Sequence, residues 1–132
     1  MDKVERIDIS LHVDERGWVA WPIEEFDLDQ RQLCHFHLPS LKPGAVRGNH
    51  YHLHRIEFAL ILSGPCRAIF EDNETGEQQD IIVEGDTPVL FKISSNVTHA
   101  FKNESSRDIF LMCYEQCSAS GNAQDIFKKT IL

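Results

Sequence analysis

Apolar residues along the chain fall in short segments that alternate with polar ones or run unbroken for a few positions, the pattern of strands and not of long helices. The longest wholly apolar run, Ile109 to Tyr114, has six residues. The pattern predicts strands near Val4–Ser10, Gly17–Trp21, Gln32–Leu38, Gly48–Leu53, Glu57–Leu62, Cys66–Glu71, Gln79–Val83, Val89–Ile93, Thr98–Asn103 and Ile109–Tyr114. Between them stand clusters of Gly, Pro, Asn, Asp and Ser, such as Asn73-Glu74-Thr75-Gly76 and Glu84-Gly85-Asp86, which supply the backbone angles of turns. The tail from Ser118 runs through a polar stretch with Gly121 and Asn122 into Asp125–Lys129, which reads equally as a helical turn or a last edge strand. No repeat or linker interrupts this order, so a closed or double-sheet antiparallel domain of about ten strands is expected, with chemistry where inward side chains converge.

Composition changes this picture little. The 132 residues, 42% hydrophobic and 26% charged, suit one globular domain over 1–132 with its core at about 14–114. A formal charge of −8 is the wrong sign for holding phosphate backbones, which argues against nucleic acid as a partner. No run approaches the roughly 20 apolar residues of a membrane span. The start Met1-Asp2-Lys3-Val4-Glu5-Arg6 has no signal-peptide pattern, so the cytoplasm is the expected compartment. Cys34, Cys66, Cys113 and Cys117 form no Cys-x-x-Cys pair and are read as free thiols.

The informative residues are histidines. Successive side chains in a strand point to opposite faces, so His50 and His52 project the same way and can reach one point. Glu57 opens a run, Glu57-Phe58-Ala59-Leu60-Ile61-Leu62, that otherwise looks buried. An unpaired buried carboxylate costs several kcal/mol, so it needs a cation or strong donors. His99 lies on a later predicted strand and is a fourth candidate. His54 falls out of alternation and reads as a surface histidine, whereas His35 and His37 share one face of their strand and are candidates to line the same cavity.

Gly44, His50, His52, Glu57 and Gly64 stand at every spacing of the first cupin motif. Gly85-Asp86, with His99 followed by Asn103, resembles the second motif without its turn proline and glycine. The chain thus resembles the cupin superfamily, which implies an all-β double-stranded β-helix, the jelly-roll barrel. It further implies one divalent transition metal, Zn, Fe, Ni, Co or Mn, on His50, His52, Glu57 and His99. Pro43-Gly44-Ala45-Val46-Arg47-Gly48-Asn49-His50-Tyr51-His52 resembles a stretch of the sugar-nucleotide cupins. These are the dTDP-4-dehydrorhamnose 3,5-epimerases, the dTDP-sugar ketoisomerases and the C-terminal cupin domain of the capsular polysaccharide reductase/epimerase. Asp14-Glu15-Arg16-Gly17-Trp18 resembles the entry sequence of the 3,5-epimerases.

A nucleotide sugar brings a diphosphate, for which Arg47 and Arg16 are the candidate guanidinium groups. Arg16, flanked by Asp14 and Glu15, reads equally as a turn arginine paired to its neighbours. Epimerisation beside a keto group needs a base and a stabiliser of the enolate oxygen. In metal-free relatives the residue matching His50 is the base and a tyrosine, matched here by Tyr114, the acid. A metal-bound His50 cannot be the base, which leaves His35, His37 or Tyr114. The expected function is an epimerase or isomerase of surface-polysaccharide synthesis. The alternatives are a non-catalytic or sensory metal cupin binding a small ligand and a non-haem metal dioxygenase. If Glu57 points inward, Phe58, Leu60 and Leu62 point outward, an apolar patch from which a homodimer is expected.

Overall fold

A computed structural model of the chain describes residues 1–25, 32–117 and 124–132. Its strands are β1 (Val4–Asp8), β2 (His12–Asp14), β3 (Gly17–Val19), β4 (Leu33–His37), β5 (Ser40–Leu41), β6 (Val46–Tyr51), β7 (Arg55–Ile61), β8 (Cys66–Asp72), β9 (Gln78–Val83), β10 (Val89–Ile93), β11 (Val97–Asn103), β12 (Ile109–Cys117) and β13 (Phe127–Lys128). One short helix, α1 (Pro22–Glu25), follows β3. All ten predicted strands are present. The tail ends in an edge strand, β13, while the polar stretch at 118–123 lies outside the described residues.

Two antiparallel sheets face each other as a jelly-roll barrel. One has the order β1-β10-β7-β12-β4, with β5 paired to β12, and the other β13-β6-β11-β8-β9; the β2–β3 hairpin stands apart. Between the sheets lies a core that includes Phe70, Phe91, Phe101, Ile61 and Leu111, each at most 3% exposed. Phe70 joins the sheets by packing on Phe91 of the opposite sheet at a ring separation of 5.1 Å, and within its own sheet it meets Phe101 at 6.1 Å.

Glu57 shares the inner face of β7 with Ala59 and Ile61, as strand parity requires. The opposite face does not present a free patch. Phe58 and Leu60 are buried, with Tyr114 and Leu90, beneath Ile9, Ile7, Ala20 and Ile23 of the same chain, and Leu62 is half-buried there. The N-terminal segment therefore covers the surface from which a homodimer was expected.

Two strands depart from simple alternation, and both departures matter to the site. In β6 the register against β11 runs His50↔His99 and then Gly48↔Ala100, so Asn49 is an extra residue. Asn49 has φ 55° and Gly48 φ 95°, the left-handed backbone of a bulge. The bulge re-phases the strand, so Arg47 and His50, three apart, line one cavity. Gly48 is needed on two counts, because a Cβ there would lie 2.6 Å from the His99 carbonyl oxygen. In β4 the register runs Cys34↔Glu115 and His37↔Cys113, three residues against two, with His35 at φ 51°.

Gly48→Ala should lower stability by at least about 1–2 kcal/mol, the cost of forcing a Cβ into left-handed backbone. An unchanged urea midpoint would contradict the close approach of β6 and β11.

Candidate functional site

His50 and His99 sit opposite each other on β6 and β11, His52 follows β6, and Glu57 faces them from β7. Their ligand atoms all lie within 4.8 Å of one another. The Glu57 Oε2 is 2.7 Å from His99 Nε2, 3.0 Å from His52 Nε2 and 3.9 Å from His50 Nε2. Backbone carbonyls assign the tautomers. His52 Nδ1 donates to the Asp125 carbonyl at 2.6 Å and His99 Nδ1 to that of Val97 at 3.1 Å. In the neutral rings both Nε2 atoms then present lone pairs to a carboxylate. His99 Nε2, buried, is out of line for a hydrogen bond with Glu57 despite its closeness.

Charge sharpens the point. Glu57, Glu115 and Asp125 are buried carboxylates, and Arg55 is the buried guanidinium among them, with Nη1 donating to Glu115 Oε2 at 3.0 Å. Three carboxylates against one guanidinium leave a surplus of negative charge. The Leu53 and His54 N–H groups stabilise Asp125, and for Glu57 a cation or protonated imidazoles meet the cost of burial. Burial alone would raise the Glu57 pKa, but His99, His50 and His52 hold it well below the ordinary carboxylate range. Burial alone would lower that of His52, yet Glu57, the Asp125 carbonyl and Glu115 outweigh it and shift it upward. An unpartnered His99 Nε2, a His52 Nε2 set 3.0 Å from the Glu57 carboxylate, a half-buried third imidazole and that carboxylate fit a divalent transition metal.

These groups close the inner end of a cavity of about 460 Å³, with His50, Glu57 and His99 in its lining and the exposed Arg47 and His37 at its rim. Arg47 Nε donates to the Ser40 carbonyl at 2.7 Å, which pins the guanidinium there. His37 Nδ1 donates to the His35 carbonyl at 2.9 Å.

The other candidates fall elsewhere. Tyr114 faces away from the cavity, because β12 alternates and Cys113 and Glu115 take the inner positions. Its ring stacks on Phe58 at 5.0 Å, and burial pushes its pKa up to about 12. Arg16 lies on the β2–β3 hairpin beside a separate hollow, with Nη2 and Nε 2.6 and 3.1 Å from Asp14 Oδ2, so it is the paired turn arginine. The bulge in β4 separates His35 from His37 and turns it toward Cys34, Glu115 and Cys117. His54 is exposed.

Two contributors escaped the sequence reading. Cys113 lines the cavity, its thiol pushed upward by burial and by the Glu57 carboxylate and so kept protonated. Asp125 comes from the tail, and its carboxylate accepts the Leu53 and His54 N–H groups at 2.8 Å each while its carbonyl orients His52. An acidic residue beyond a polar stretch carries no local signal of this role.

The family described as Polysaccharide biosynthesis C-terminal domain matches residues 12–127. A UDP-2-acetamido-2,6-beta-L-arabino-hexul-4-ose reductase of Pseudomonas aeruginosa is 27% identical over 107 residues, which is 81% of this chain but 27% of that protein. The capsular polysaccharide assembling protein CapF of Staphylococcus aureus superposes with TM-score 0.67 at 21% identity, over 95% of this chain and 33% of its own. The dTDP-6-deoxy-D-glucose-3,5-epimerase of Legionella pneumophila, solved with dTDP-4-keto-L-rhamnose, gives 0.77 at 18% identity, over 97% and 73%. The chain thus spans about a quarter to a third of the first two relatives and most of the third.

Two outcomes follow from the geometry. The raised His52 pKa stabilises the metal-free fold fully below 6.5 and is lost as pH rises through its folded value; the lowered Glu57 pKa stabilises above 4.5 and is lost as pH falls through its folded value. Thermal unfolding of metal-stripped protein should therefore peak between pH 4.5 and 6.5. Asp125→Ala strands two backbone donors and should cost about 1–3 kcal/mol in urea unfolding, with the His52 ring resonances shifted in NMR spectra.

Proposed function

The chain belongs to the polysaccharide biosynthesis C-terminal domain family, and we propose that it is a metal-dependent cupin acting on a keto-sugar nucleotide as an epimerase or isomerase. The observation that carries this reading is the convergence of His50, His52, Glu57 and His99 at the end of a cavity rimmed by Arg47. The donor set suits Zn, Fe, Ni, Co or Mn. When bound, such an ion supplies a Lewis acid that polarises a carbonyl or enolate oxygen.

The chain's own residues divide the remaining work. Arg47, fixed through Nε, offers its other N–H groups to diphosphate oxygens, where a planar guanidinium matches the anion's geometry. His37 donates through Nδ1 to a backbone carbonyl, so Nε2 carries the lone pair and is the acceptor for a proton α to a carbonyl. Of the three candidates His35, His37 and Tyr114, His37 is the one that lines the cavity. The buried Phe101 and Leu111 give the cavity apolar walls.

A second reading, a non-catalytic metal cupin that binds a small ligand, is favoured by one observation. Tyr114, the candidate acid, is stacked on Phe58 outside the cavity.

Calorimetric titration with UDP- and dTDP-linked sugars tests the ligand class. Arg47→Ala should weaken binding by about 1.5–3 kcal/mol, and equal affinity would remove Arg47 from the site. Wash-in of solvent deuterium α to the carbonyl of a keto-sugar nucleotide separates the two readings. Exchange lost in His37→Ala supports the enzyme, whereas tight binding without exchange supports the binding protein. His52→Ala should abolish stoichiometric metal in elemental analysis, and full occupancy would overturn the ligand set.

A further inference from the structure

The edge strand β4 and its neighbour β12 carry a second group of donors. Cys34, His35, Glu115 and Cys117 place their ligand atoms within 4.8 Å of one another. Cys34 and Cys117 are joined as a disulfide with Cα atoms 6.2 Å apart, whereas Cys66 and Cys113 are free and buried. Two of the four cysteines expected as free thiols are therefore paired. The signal was hidden because the partners lie 83 residues apart and meet only through the strand order.

A disulfide needs only two sulfur atoms, and three features go beyond it. His35 holds a left-handed backbone, φ 51°, that a residue with a Cβ rarely adopts, and the β4 bulge built on it brings the imidazole beside Cys34. Glu115 is buried at the same point, with Oε2 on Arg55 and Oε1 3.6 Å from His52 Nε2. Both cysteines are half-buried and His35 is exposed on a sheet edge, so the group is reachable from solvent.

We propose that this group is a second metal site, formed when the disulfide is reduced, that takes a thiophilic divalent ion such as zinc on Cys34, Cys117, His35 and Glu115. A dithiol reductant delivers two electrons and two protons, breaks the sulfur–sulfur bond and leaves as a cyclic disulfide. The ion then displaces both thiol protons to solvent, and two sulfur–metal bonds replace the one sulfur–sulfur bond. Two thiolates, an imidazole and a carboxylate make a tetrahedral donor set of the kind zinc accepts. The softer sulfur donors set it apart from the imidazole–carboxylate group around Glu57. Glu115 lies between the two groups, bonded to Arg55 and near His52. The inference does not depend on the reaction proposed above.

Cobalt(II) titration of the full chain tests it, because only thiolate ligation gives an intense near-ultraviolet sulfur-to-cobalt charge-transfer band. Protein reduced with a dithiol, then freed of it without air, should show the band, saturating at one equivalent for this site. Oxidised protein should lack it, Cys34→Ser, left with one thiolate at this site, should show it weakened, and His35→Ala should weaken cobalt binding at least tenfold. Reduced protein without the band overturns the proposal. So does a band of equal strength in oxidised protein, which would assign it to Cys113 beside Glu57. The comparison of oxidised with reduced wild type stands even if Cys34→Ser fails to fold.

Discussion

One buried carboxylate organises this molecule. Glu57, 4% exposed, faces three imidazole nitrogens across the barrel, and in an interior of low dielectric that arrangement holds only with positive charge among them. Much of the local architecture reads as a response. Two histidines hand a ring proton to backbone carbonyls and turn the other nitrogen inward. Arg55 partly offsets the surplus negative charge through Glu115, and Asp125 seals the connection between β6 and β7 by capping its amides. Polar groups this deep compromise the core unless they are partnered, and among the described residues His99 Nε2 is one buried atom that has no aligned hydrogen-bond partner.

The first sheet shows how one strand serves two chemistries. On β12, Cys113 and Glu115 belong to the cavity side while Tyr114 between them belongs to an apolar layer under the N-terminal segment. Burial on both faces is why β7, after its opening Arg55, reads as an apolar run broken by Glu57. From sequence, such a run gives the strand but not what lies on its far side, so Phe58 and Leu60 looked like a surface for another molecule when their own chain covers them.

What could be read from the sequence was what alternation and motif spacing encode: the ten strands, the inward pairing of His50 and His52, and the parity of Glu57. Three kinds of information were not local. Bulges at Asn49 and His35 shift the phase of a strand, and the tolerance of Asn and His for left-handed backbone does not say that it is used at these positions. Strand order decides that Cys34 meets Cys117. The tail's return depends on distant partners, since Asn49 accepts the Ile131 N–H and donates to the Leu132 carbonyl through its side chain.

The bulge at Asn49 also bears on how such a site can change over generations. Arg47 and His50 share a cavity because one surplus residue stands between them and the simple alternation of a strand. Replacing a side chain there alters local contacts, whereas deleting Asn49 would leave every functional group in the chain and turn the guanidinium to the opposite face of the sheet. Length in this segment is thus a functional trait in its own right. An insertion or deletion between Arg47 and His50 changes which face a functional group meets, which a substitution does not.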